Sequence, residues 1–124
     1  MKPYGKELIL DLHHCDPTTY ATRDQIESFI ADLCAAIDMK REDLHWWDYE
    51  GEPAEYEAAP AHLKGTSAVQ FITTSTIVIH TLDDLRRVYI NIFSCKDFDA
   101  GAVMRMAVGH FKGEIVGQTE LDRK

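Results

Sequence analysis

The sequence predicts an α+β fold, a two-layer α/β sandwich with helices on one face of a mostly antiparallel sheet. Three observations predict it. Residues 66–95 hold three strongly β-prone runs with short breaks between them, the pattern of neighbouring strands. Two segments, one after Thr22 and one after Asp99, repeat apolar residues at helical spacing behind a capping side chain. The 124 residues are 45% hydrophobic and 27% charged, which suits one compact core and a single domain over residues 1–124.

Taken in order, residues 7–13 (E-L-I-L-D-L-H) alternate as a half-buried strand, with Leu8, Leu10 and Leu12 on one face. The following C-D-P-T-T reads as a turn. Thr22 and Gln25 have the spacing of a capping box, and Ile26, Phe29, Ile30, Leu33 and Ile37 continue a helix over 23–38. Residues 44–49 (L-H-W-W-D-Y) have the aromatic content of a strand. Trp46 and Trp47 then point to opposite faces, one to the core and the other over a pocket or a subunit interface.

The acidic stretch 50–65, broken by Pro53, Pro60 and Gly65, reads as a solvated loop. Residues 66–73, 76–81 and 88–95 form the centre of the sheet, the first two separated by little more than Thr74 and Ser75. Asp99 caps a second helix that carries Val103, Met106, Ala107 and Phe111 and is ended by Gly113, and 114–121 return as the last strand. The order reads β-α-β-β-β-α-β.

Composition excludes several classes of partner. A formal charge of −8 disfavours nucleic acid, whose binding draws on clustered Lys and Arg. No run of 18 apolar residues exists and M-K-P-Y-G-K-E lacks a secretory pattern, so neither a membrane nor export is indicated and the compartment is cytoplasmic. The three cysteines, Cys15, Cys34 and Cys95, fit no disulfide framework or paired zinc site. His13, His14 and Cys15 form a turn with an incidental thiol, because adjacent strand residues point to opposite faces, and no metal site is expected.

Polar residues inside apolar strands need a partner or a purpose. Ser67 opens one strand, Ser75 stands at the junction of two, His80 closes the second and Cys95 closes the third. Taken singly, these are ordinary turn serines, a rim histidine and a small buried hydrophobe. Together they are placed to converge at one end of the sheet.

The segments L-I-L-D-L-H-H-C-D-P at 8–17, S-A-V-Q-F-I-T-T-S-T-I-V-I-H-T at 67–81 and V-Y-I-N-I-F-S-C at 88–95 carry a further signal. In these segments and their spacing the chain resembles the bacterial and archaeal S-adenosylmethionine decarboxylase proenzymes, over nearly its whole length. The resemblance implies a zymogen that cuts itself between Thr74 and Ser75 into 1–74 and 75–124, leaving a pyruvoyl group derived from Ser75 as its covalent cofactor. It implies that Ser67 stabilises the oxyanion of this cleavage, that His80 transfers the proton, and that Cys95 is the proton donor once the substrate has formed a Schiff base. It also implies a homodimer acting in spermidine, hence polyamine, biosynthesis.

Departures from the family pattern fall on nucleoside recognition and on the context of the scission site. Thr74 stands where the family has Glu, Thr76 where it has His, and Leu82-Asp83-Asp84 where it has Trp-Pro-Glu. Asp84 is the candidate ribose contact, and His62, beside Ala61, the candidate adenine contact. Two enzyme readings therefore stand side by side, decarboxylation of S-adenosylmethionine or of a basic amino acid such as arginine or ornithine. An uncleaved homologue without catalysis is the alternative to both.

Overall fold

A computed structural model describes residues 2–124. The elements run β1 (Gly5–His13), α1 (Arg23–Ala36), β2 (Arg41–Trp47), α2 (Pro53–Ala58), β3 (Gly65–Ile72), β4 (Ser75–Leu82), β5 (Arg87–Ser94), α3 (Ala100–Phe111) and β6 (Glu114–Arg123), with 3-10 turns at Pro17–Thr19 and Ala61–Leu63. The six strands form one sheet in the order β2-β3-β4-β5-β1-β6, every neighbouring pair antiparallel. The predicted order was one strand short. Arg41–Trp47 joins β3 as an edge strand, with an irregular register between Arg41 and Leu44. Charged residues and a bulge of this kind blunt an exposed edge.

Period-two burial decides which face is covered. Leu8, Leu10 and Leu12 of β1, Ile77 and Ile79 of β4, and Val88, Ile90 and Ile92 of β5 are all buried. They meet Ile26, Phe29, Ile30 and Leu33 of α1 and Val103, Ala107 and Phe111 of α3 in one core. Phe111 is central, with its ring 4.8 Å from Phe29 and 6.0 Å from Tyr20. The intervening strand residues face the other way, and four large side chains on that side, Tyr4, Trp47, Phe71 and Leu121, are well exposed.

Local chemistry explains the helix ends. Thr22 and Gln25 form the reciprocal capping box, and the Asp99 side chain accepts from the Ala102 N–H. α3 ends one step before Gly113: Lys112 takes the left-handed conformation, and a Cβ on Gly113 would stand 2.5 Å from Cys15 Sγ. That glycine serves close packing. The stretch 50–65 is not wholly loop, because α2 and a 3-10 turn lie within it. Pro53 enters at the first helical turn, where its fixed φ and missing N–H do no harm, and the residues after it are good helix formers.

Candidate active site

The predicted site residues fall into two clusters. β3 and β4 are joined through Thr73 and Thr74, with Ile72 opposite Ser75. Ser75 is therefore the first residue of β4, one position earlier than the sequence pattern placed the strand. Its side chain shares the inward face with Ile77, Ile79 and Thr81 and is 7% exposed. Ser75 Oγ accepts from the Cys95 backbone N–H at 3.2 Å and lies 3.9 Å from Cys95 Sγ. Thr74 Oγ1 is 3.3 Å from the same sulfur and donates to the Thr73 carbonyl at 2.7 Å.

Electrostatics separates the cysteines. Cys95 is exposed, and hydrogen bonding with the Thr74 hydroxyl first, then that of Ser75, holds its thiol below the ordinary cysteine range. Burial pushes Cys15 up to about 11 and raises Cys34 as well. Both are buried packing residues.

The second cluster sits on the open face of the sheet. Ser67 pairs with His80 across the β3–β4 ladder, and Ser67 Oγ lies 2.7 Å from His80 Nδ1. Each residue is the same distance from the turn, so an antiparallel hairpin must bring them together. Trp47, His62, Leu63 and Tyr89 surround the pair to form a cleft of about 290 Å³. Trp46 packs toward the core while Trp47 is 61% exposed. Tyr89 escaped the sequence reading; its signal was alternation with buried Val88 and Ile90, which puts it opposite His80 on the open face.

The two clusters do not converge in one chain. His80 lies five ladder steps from Ser75, a separation of ~16 Å at about 3.3 Å per residue. The reason is the hairpin register, which fixes Ser67 and His80 far from the turn and Ser75 beside it.

Asp84 faces Lys64 Nζ at 3.5 Å. Its neighbour Asp83 accepts a hydrogen bond from Tyr56, and burial raises its carboxyl above the usual range. Arg23 holds Asp48 and Glu50, each at 2.6 Å, so part of the acidic stretch is anchored rather than free. Arg23, Asp48, Glu50, Tyr56 and Asp83 border a larger cavity of about 620 Å³ beside the start of α1. Arg23, Asp48 and Glu50 there are engaged with one another, whereas the smaller cleft holds Ser67 and His80.

Among the described residues no group of three His, Cys, Asp or Glu side chains is placed to hold a metal ion, and no helix is long and apolar enough to cross a membrane.

Comparison with known proteins bears on the same fold and site. No curated protein matches the sequence. The crystal structure of the adenosylmethionine decarboxylase from Aquifex aeolicus VF5 is similar to this chain with a TM-score of 0.76, covering 99% of this chain and 92% of that one at 15% sequence identity. At that identity the likeness establishes the fold: an open, six-stranded antiparallel sheet with helices packed on one side. The family model for S-adenosylmethionine decarboxylase matches residues 6–124, a span that takes in both clusters, and the chain belongs to the S-adenosylmethionine decarboxylase family.

Proposed function

We propose that this chain is a pyruvoyl-dependent decarboxylase of S-adenosylmethionine, matured by serinolysis between Thr74 and Ser75, and that it supplies the aminopropyl donor for spermidine synthesis in the cytoplasm. The observation that carries the reading is the placement of Ser75 directly after a two-residue turn, with its hydroxyl 3.2 Å from the Cys95 N–H and 3.9 Å from the Cys95 thiol.

Ser75 Oγ bonds to the Thr74 carbonyl carbon as the C–N bond breaks, and the hydroxyl proton passes to the Ser75 nitrogen. Loss of the Ser75 Cα proton then expels the Thr74 carboxylate. The dehydroalanine left behind takes up water and releases ammonia. The chemistry of the residues fits the product: a serine at the head of a strand, a thiol beside it, and a turn able to part without disturbing the core. A pyruvoyl group at position 75 supplies a carbonyl that holds the substrate amine and draws in the electron pair carbon dioxide leaves behind. Cys95, exposed beside it, is the group placed to return a proton to carbon.

Ser67 and His80, ~16 Å from Ser75 along the same hairpin, act in this reading from a second copy of the chain. The open face carries both Ser67–His80 and the exposed Tyr4, Trp47, Phe71 and Leu121. A two-fold pairing of such faces in a homodimer buries these side chains and carries each copy's Ser67–His80 pair toward the other's Thr74–Ser75 turn, which is reached from the side where Cys95 is exposed. The exposed Trp47 indole in the Ser67–His80 cleft offers a planar base a surface to stack on, the feature of this cleft that supports a nucleoside substrate.

Intact mass of freshly purified protein under denaturing conditions tests the maturation. Two fragments splitting at 74/75, absent from Ser75→Ala, are the expected result; a single persisting chain identifies an uncleaved homologue. Release of carbon dioxide from S-adenosylmethionine, and not from arginine or ornithine, then identifies the substrate.

A further inference from the structure

The residue before the proposed scission carries an unusual backbone. Among the described residues five non-glycine residues take positive φ: His14, Asp38, Thr74, Arg86 and Lys112. Thr74, at φ 56°, is the β-branched member of this set, and a β-branched side chain in the left-handed region is a genuine outlier. Hairpins this tight favour Asn-Gly or Asp-Gly because their turns require positive φ. This chain has Thr73-Thr74 instead.

The surroundings hold Thr74 in that conformation. Eight residue pairs, from Gly65 with Leu82 to Ile72 with Ser75, lock the hairpin register. The Thr74 hydroxyl is tied to the Thr73 carbonyl and lies beside Cys95 Sγ. A strained residue persists only where its neighbours over-determine it, and such residues gather at functional sites.

We propose that the left-handed strain at Thr74 drives self-cleavage of the 74–75 bond. The proposal deepens the serinolysis reading and rests on it. In the uncleaved chain, one planar amide nitrogen links the Thr74 carbonyl carbon to Ser75 Cα. In the ester, two atoms, Oγ and Cβ of Ser75, make that link. The turn slackens as the ester forms, so the strain favours the ester over the amide and raises the amount available for elimination. Breakage then frees Thr74 as a chain end. Atoms balance within the chain, and no co-reactant enters before the elimination.

The test follows cleavage by mass in time after cell-free synthesis of the full chain, for wild type, Thr74→Asn, Thr74→Gly and Thr74→Val. Asn and Gly accept the left-handed conformation and lower the strain, so each is expected to slow cleavage about 5-fold. Val keeps the β-branch without the hydroxyl and is expected to cleave faster than Asn and Gly, which separates the branch from the hydroxyl. In parallel, Thr74→Asn in the uncleavable Ser75→Ala chain is expected to raise the denaturation midpoint. Slower cleavage with higher stability is a combination that a merely structural role does not produce.

Cleavage of Asn and Gly variants at or above the wild-type rate overturns the proposal while leaving serinolysis intact. Slow cleavage of Val alone also overturns it, assigning the effect to the hydroxyl. If no version cleaves, serinolysis itself fails and the proposal falls with it.

Discussion

Ser67 Oγ and His80 Nδ1 meet at 2.7 Å across two adjacent strands, on the face of the sheet that the helices leave open. The contact turns a strand-end histidine into an oriented one, because the ring nitrogen facing the serine is fixed and Nε2 is left for another partner. Both residues are at least partly solvent-accessible, so little core packing depends on them.

Replacing either residue with Ala therefore separates chemistry from folding. His80→Ala is expected to leave thermal stability within about 0.5 kcal/mol while slowing cleavage or decarboxylation by ~10²-fold or more, the usual worth of a positioned acid–base group. Melting curves and single-turnover assays of the same preparation check both halves. A large loss of stability with proportionate loss of activity assigns the pair a structural role.

If each site draws on two copies of the chain, inactive variants complement one another. Co-expressed Ser75→Ala and His80→Ala chains are expected to form mixed dimers with one complete site, giving about a quarter of the wild-type sites from random pairing. Fragment yield and decarboxylation in the mixture, against each variant alone, measure this. Absence of complementation in verified mixed dimers places the whole site within one chain.

The cysteines are expected to differ sharply in alkylation. In the uncleaved chain Cys95 is exposed and its thiol is held below the ordinary range by the Thr74 and Ser75 hydroxyls, so before maturation it reacts in the folded protein with a pH midpoint below that of a free thiol. Cys15, buried with its thiol pushed up to about 11, and Cys34 react only on unfolding. Thr74→Val is expected to raise the Cys95 midpoint, because the larger of the two hydroxyl contributions is gone. Peptide mass mapping after iodoacetamide at a series of pH values reads all three.

His110 is expected to make stability fall in mild acid. Its ring packs 5.2 Å from Phe29 and 4.7 Å from Phe111, its Nε2 lies 3.1 Å from the Thr19 carbonyl oxygen, and burial lowers its pKa. The sign follows from proton binding. The unfolded chain takes up this proton near pH ~6.5 and the folded chain only at lower pH. Stability is full above that range and declines as pH falls through it. Denaturant midpoints of wild type and His110→Gln between pH 7.5 and 5 check this, with the slope expected to flatten in the variant.

Much of the architecture was legible in the residues because local rules and burial agreed. Leu8, Leu10 and Leu12 alternate and are buried together, the Thr22–Gln25 box caps α1 as its spacing predicts, and Asp99 caps α3. The short α2 was hidden by the prolines around it, and the strand read at 44–49 starts earlier, at Arg41, its charged first residues masking the start. The candidate residues Ser67, Ser75, His80 and Cys95 stand out as polar groups within apolar strands, and the Ser67–His80 contact follows once the turn is known, since ladder geometry is local.

Which residues share one site was decided only by the tertiary structure. Sequence spacing does not say whether neighbouring strands bring their ends together or carry them apart. The β3–β4 register carried Ser67 and His80 away from Ser75, and the β4–β5 register set Thr76 opposite Phe93, bringing Cys95 beside Ser75. The left-handed Thr74 likewise arose from closing a hairpin with two β-branched residues, a conflict between local preference and sheet pairing that the eight-pair ladder resolved in favour of the sheet.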